Sequence, residues 1–358
     1  MGNGNRGVAA PELGPHAGGR FWLAIVFTGL GTGACAAALT LILQAVQHFV
    51  WPGTAATLLD AAAQATPWRH ILVLLGAGLV TGAGQIVLVR LTSSNSIDIT
   101  EAIWFSAGRL PALRTLGSAV LSVVVVGMGA SLGREGAPKQ AGAVIANALS
   151  DRAHFSDEQR RLLVACGAGA GMAAAYGVPL GGALFALEVL RGILGLRLVL
   201  PALLTSVIAT ATAWLVLPNT PTYVLPHFDE SAANLVLALL IGPIIGLASV
   251  AFVRIIAQAD RFRPKHWRRL VAPILALGLL GLVSIRFPQL LGNGKDIVQL
   301  AFSDQISFAL LLALLVLKPF CHRAVSGKRC TGRLVYAVAG VWSFAGWRYR
   351  PHVFIILA

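Results

Sequence analysis

Four consecutive residues, Gly133-Arg134-Glu135-Gly136, place an acid and a base between two glycines, directly after the apolar run Val123 to Ala130. Glycine on either side lets a ligand come close to the backbone. Pro138 suits the opening turn of a helix that continues through Lys139 to Leu149. The first amides of a helix are unpaired and carry partial positive charge, so they can hold an anion without a full cation. A carboxylate there, Glu135, would be held by the same amides in the anion's own place and would leave when protonated, which makes a gate. The plainer alternative is an Arg134–Glu135 ion pair in a loop. In a bilayer, an acid at this depth marks an ion or substrate path.

Two further segments offer chemistry. Ser94-Asn95-Ser96-Ile97 supplies small donors ahead of a helix, which fits an anion site and equally a polar turn that caps the helix. The Gly- and Ala-rich run Gly167 to Glu188 allows helix backbones to touch inside a membrane, and Pro179 interrupts it. Glu188 closes that run, where structural pairing and a role in transport are both open. Cys35, Cys166, Cys321 and Cys330 lack zinc-type spacing and are read as packing thiols. His16, His48, His70 and His154 share no spacing with acids that defines a metal or nucleophile site. Neither an enzyme nor a cofactor is expected.

These residues need elements to position them, and composition says which kind. Of 358 residues 56% are hydrophobic and 12% charged, with mean hydropathy +0.76, whereas soluble chains carry about 25% charged residues. Apolar stretches recur at Trp22 to Val50, His70 to Leu91, Leu116 to Leu132, Leu162 to Val189, Leu198 to Leu217, Leu235 to Ile256, Leu270 to Ile285 and Ile306 to Phe320. Crossing the hydrocarbon takes about 20 residues of helix. Several stretches are shorter or broken by Gly or Pro, the mark of a transporter-like bundle of interrupted helices. The first is too long for a secretory signal and reads as a retained span.

The net charge of +14 raises nucleic-acid binding, but the charges gather in loops: Arg152, Arg160 and Arg161 before one span, and Arg254, Arg261, Arg263, Lys265, Arg268 and Arg269 after another. The bias of basic residues toward cytoplasmic loops explains both without nucleic acid. Asp260 to Arg269 then lies inside and Trp51 to Pro67 outside.

The chain also echoes itself. Gly29 and Gly33 precede an Ala-rich stretch as Gly242 and Gly246 do, and Ser94 to Asp98 follows a span as Gly292 to Asp296 does, each pair about 200 residues apart. Twofold repetition is expected of an inverted-repeat transporter. The counterpart of Gly133 should fall near residues 325 to 340, where Ser326 to Gly332 has neither the apolar lead nor the acid.

With the GREG element and the segment from Gly167 through Pro179-Leu180 to Phe185-Ala186-Leu187-Glu188, the chain resembles the CLC family of chloride channels and proton-coupled chloride transporters over about residues 20 to 320. The resemblance implies an all-α polytopic membrane protein with broken, tilted helices in two inverted halves. It also implies a homodimer in which each subunit has its own anion path. Glu135 matches the family's gating glutamate, and Gly133, Arg134 and Gly136 match its frame. Ala137 stands where the family has a proline, which Pro138 replaces one residue later. The first filter segment aligns with Ser94, Asn95, Ser96, Ile97 and Asp98, with Asn95 at the central serine, and an ionised Asp98 would oppose an anion there. The inner proton-transfer glutamate aligns with Val189, which cannot carry a proton, so the resemblance points to channel-like flux.

After Phe320 the family's second filter segment, its Gly-x-Phe-x-Pro motif and its pore tyrosine find no counterpart. Instead residues 321–358 carry Arg323, Lys328, Arg329, Arg333, Arg348 and Arg350 and no acid. The favoured reading is a shifted reading frame near Phe320 and Cys321; a basic tail on anionic lipid and a divergent last helix over Leu334 to Phe344 are the others. The expected organisation is a cytoplasmic segment 1–19, a first membrane repeat 20–217, a partial second repeat 235–320 and an anomalous basic segment 321–358. The expected function is passive or gated transport of chloride or similar monovalent anions, in a multi-pass protein of the bacterial inner membrane among lipids. A nonconducting shortened protein and a proton-coupled anion transporter are the alternatives.

Overall fold

The computed structural model describes residues 18–51, 53, 57–92, 97–192, 195–224, 232–261, 268–303, 305–307, 309–315 and 317–318. Among them the regular elements are all helical: α1 (Gly19–Val50), α2 (Leu58–Ala63), α3 (Pro67–Leu91), α4 (Ile99–Phe105), α5 (Ala112–Gly127), α6 (Gly136–Ala153), α7 (Asp157–Tyr176), α8 (Pro179–Leu184) with a π-helical turn Phe185–Arg191, α9 (Leu196–Trp214), α10 (Ala232–Arg261), α11 (Arg268–Arg286), a 3₁₀ turn Pro288–Leu290 and α12 (Lys295–Phe302). α1, α3, α9 and the stretch Val236–Arg254 of α10 are long and apolar enough to cross a membrane. The chain divides into two compact units that alternate along the sequence. The first holds the described residues of Met1–Pro52, Ala83–Met128 and Arg134–Tyr223; the second holds those of Gly53–Gly82, Gly129–Gly133 and Val224–Ala358.

The centre of the first unit is the hairpin of α6 and α7. His154 ends α6 in the left-handed region at φ 54°, a conformation that closes helices although a side chain rarely adopts it. Ser156 then caps α7: its hydroxyl accepts from the Gln159 amide while the Gln159 side chain accepts from the Ser156 amide. Asp157 and Glu158 complement the positive end of α7. Partial burial works against the Glu158 charge, but Arg161 and Arg191, at 2.6 and 3.0 Å, outweigh it and hold the carboxyl below its usual range.

Along the hairpin there is no room for side chains. A Cβ on Gly142 would lie 2.0 Å from the Gly167 carbonyl oxygen, and one on Gly171 would lie 2.1 Å from that of Pro138. α1 closes on α9 in the same manner, since a Cβ on Gly33 would meet the Ala209 carbonyl at 2.4 Å. Without a hydrophobic drive between helices in lipid, such backbone approach is what gives them contact. Around these seams lies an apolar cluster that includes Ile25, Ile103, Leu163, Cys166, Leu187 and Ala202.

In the second unit, a Cβ on Gly78 of α3 would meet the Ile274 Cα of α11 at 2.5 Å. Buried His70 sits at this seam, with Nδ1 2.9 Å from the Ser284 hydroxyl and Nε2 2.9 Å from the Ala62 carbonyl. Both ring nitrogens thus serve packing.

Several expected boundaries move. The stretch Leu116 to Leu132 stops being helical after Gly127, and Leu162 to Val189 is two helices and a π turn, because Gly177 takes φ 69° and Pro179 opens α8. The segment between Trp51 and Pro67 contains α2, capped by the Thr57 hydroxyl, which accepts from the Asp60 amide. The paired glycines of the apparent repeat differ in use: Gly29 and Gly33 touch α9, whereas a Cβ on Gly242 or Gly246 would meet nothing within 4 Å. Cys35 and Cys166 are free thiols, half-buried and buried; Cys321 and Cys330 lie outside the described residues, as do residues 319–358 and the reading-frame break expected there.

The hairpin should fail when its seam is filled. Replacing Gly142 with Val is expected to cost about 3 kcal/mol or more and to lower the unfolding temperature in detergent, whereas Gly242→Ala leaves it unchanged. Equal effects of the two would contradict the seam.

Candidate functional site

The site grows from the register of the hairpin. α6 and α7 run antiparallel, so the Pro138–Gly171 contact brings the first residues of α6 beside the last of α7. Between α5 and α6 the chain is non-helical, with Gly129 at φ 100°. It delivers Arg134 and Glu135 to the start of α6, where Glu135 is the capping residue (φ −70°, ψ −26°) and Gly136 the first helical one. Pro138 falls within the first turn, where its missing amide costs no helical bond. Gly133, Glu135 and Gly136 are buried and Arg134 is half-buried.

Glu135 is 8% exposed, and its side chain makes no cap bond to its own helix. Instead the Tyr176 hydroxyl, from the last residue of α7, donates to Oε1 of Glu135. The other oxygen, Oε2, is buried without a hydrogen-bond partner. This corrects the expectation that the helix amides hold the carboxylate: as a capping residue in helical conformation, Glu135 directs its side chain across to α7. Arg134 does not pair with Glu135 among the described residues. Its guanidinium lies 5.4 Å from the centre of the Tyr176 ring, a cation–π distance, and its Nε is buried without a partner. Tyr176 therefore carries the arginine on its face and the glutamate on its hydroxyl. The Thr222 hydroxyl donates to the Tyr176 carbonyl at 3.3 Å.

Ser94, Asn95 and Ser96 lie outside the described residues. Ile97 is partly buried against the apolar cluster. Asp98 caps α4, its Oδ1 accepting from the Thr100 amide at 2.9 Å. Glu188 is exposed within the π turn and, among the described residues, makes no ion pair or hydrogen bond within the chain. Val189 is partly buried and packs against the apolar cluster.

Sequence reasoning assigned nothing to Tyr176. Its signal was available: a single polar aromatic in a run of Gly and Ala, directly before the Gly177 and Pro179 break. A buried tyrosine hydroxyl in such a setting needs an acceptor.

Residues 77–332 match the family model described as voltage gated chloride channel. Over 251 residues the chain is 34% identical to a ClcB-like chloride channel protein from Ralstonia nicotianae, covering 67% of this chain and 58% of that protein. It is 30% identical over 288 residues to the voltage-gated ClC-type chloride channel ClcB of Escherichia coli, covering 77% of this chain and 67% of that one. The chain thus spans 58% to 67% of the length of these relatives. Its fold is similar to that of a slow cyanobacterial Cl−/H+ antiporter, with TM-score 0.70 and 22% identity over 88% of this chain and 75% of the other. It is also similar to a CLC-type fluoride/proton antiporter, with TM-score 0.65 and 20% identity over 89% and 82%.

The Tyr176–Glu135 contact is measurable as a coupling. Tyr176→Phe should destabilise the folded protein by about 1–3 kcal/mol, because it strips a buried carboxylate of its donor. In a double-mutant cycle with Glu135→Ala the two effects should couple by about 1 kcal/mol or more, and strict additivity would contradict the contact.

Proposed function

The chain belongs to the voltage gated chloride channel family, and on that premise we propose that it passes chloride or a similar monovalent anion across the membrane, with Glu135 as the gate. The observation that carries the proposal is the state of the Glu135 carboxylate: buried, tethered at one oxygen to Tyr176, and unpartnered at the other. A group with a single tether at a helix N-terminus can be displaced by an anion that accepts from the helix amides, which the carboxylate itself does not engage. Arg134 beside it attracts that anion and lessens its loss of hydration. An anion thus enters as the carboxylate swings away, and leaves as it returns. No covalent step or cofactor takes part, so the protein is a transporter of ions and not an enzyme.

Val189 favours a channel-like passage, because a valine in the apolar cluster offers no proton-carrying group at that point. The second reading, coupled exchange of anion and proton, draws on the fold shared with two antiporters. The apolar helices suit a multi-pass protein of the bacterial inner membrane, working in contact with lipid as a homodimer.

Reconstituted in liposomes, the protein is expected to release chloride without stoichiometric proton movement. Glu135→Ala should raise the flux roughly 5- to 150-fold, the range set by losing an interaction worth about 1–3 kcal/mol, and should remove its dependence on pH. Protons moving in fixed ratio to chloride would favour the antiporter reading, and unchanged flux and pH dependence in the variant would remove Glu135 from the gate.

A further inference from the structure

Lys139 stands one helical turn beyond Glu135 on the same face of α6, its amide donating to the Glu135 carbonyl at 3.4 Å. It is as deeply buried as Glu135, at 8% exposure. A lysine here is out of keeping with its helix, since its neighbours on α6 include Ala137, Ala141, Gly142 and Ala143, all buried. Its ammonium lies 5.2 Å from the centre of the Phe185 ring. Among the described residues no carboxylate oxygen is within ion-pair distance of it. Burial disfavours its charge, and two acids, Glu135 and Asp98, act in the opposite direction. They are not equivalent. Asp98 is fixed, because its carboxylate caps α4 through the Thr100 amide, while Glu135 is tethered by one hydroxyl and has a free second oxygen.

A buried ammonium without a negative partner is strongly disfavoured, and an apolar side chain would fill the space against Phe185 without that cost. The site therefore demands compensation whenever Glu135 moves. We propose that Lys139 is an anion-binding residue of this chain, whose ammonium is neutralised in turn by the Glu135 carboxylate and by a small monovalent anion such as a halide. The exchange is one charge for one charge, so the net charge of the pocket stays constant as the gate moves. The four components, Glu135, Lys139, Phe185 and the α6 N-terminus, sit within one compact unit. Lys139 thus adds a full cation where helix amides alone would supply partial charges.

This inference rests on the anion-path reading, and its test separates the two. Chloride should raise the unfolding temperature of the purified wild-type protein relative to gluconate, with a saturable concentration dependence. Lys139→Gln and Lys139→Met should each shift the midpoint of that dependence upward by about tenfold or more, while Glu135→Gln, which removes the competitor, should shift it downward. If both Lys139 variants fold, pass chloride and keep the wild-type midpoint, the role of Lys139 is overturned while the anion path stands. If the wild type neither binds nor passes any halide, both readings fail together. Should the Lys139 variants not fold, bromide in crystals of the Glu135→Gln protein provides the decision. An anomalous peak beside Nζ of Lys139 supports the proposal, and bromide bound only elsewhere overturns it.

Discussion

The rest of the site depends on two helix backbones meeting with nothing between them. Gly142 against Gly167 and Pro138 against Gly171 hold α6 and α7 in one antiparallel register. A single Cβ at either seam would push the helices apart, because carbonyl oxygens stand at 2.0 and 2.1 Å from where it would be. That register carries the last residue of α7 to the first of α6, so Tyr176 reaches Glu135 without a flexible loop. The Glu135 carboxylate and its tether are therefore set by rigid elements, and in the gating role proposed above only the side chain of Glu135 needs to move.

Charge balance follows from this packing. Close approach excludes water, and exclusion of water makes every unpaired charge more costly. Arg134 rests on the Tyr176 ring, Lys139 on the Phe185 ring, and Glu135 accepts from the Tyr176 hydroxyl. Aromatic faces lessen the cost of the cations without neutralising them. A carboxylate that leaves such a place invites an anion to follow it in, and on the proposed function this is the permeation step.

Much of this was legible in the sequence. Apolar runs placed α1, α3, α9, α10 and α11, and the glycines around Arg134 and Glu135 marked the start of α6. The break at Gly127 was less visible, since apolar residues continue past it and hydropathy alone does not register a change of backbone direction, whereas Pro179 marked the one after Gly177. The short helix α2 was hidden because six residues are too few to show an apolar run of their own. The contact between Tyr176 and Glu135 joins residues 41 apart in sequence, and only the hairpin register makes them neighbours. Lys139 looked like an ordinary early-helix lysine, since its burial depends on Phe185, which a later element supplies.

The central claim is that carboxylate and anion alternate at the start of α6. Infrared difference spectroscopy on the membrane-reconstituted protein, switched between gluconate and chloride, tests it directly by recording the carboxylate stretching region. The account predicts that chloride shifts a carboxylate band, as Glu135 exchanges the Tyr176 hydroxyl for another environment, and that the band is lost in Glu135→Gln. A chloride response identical in the two proteins, or no carboxylate response in the wild type while chloride passes, would contradict it.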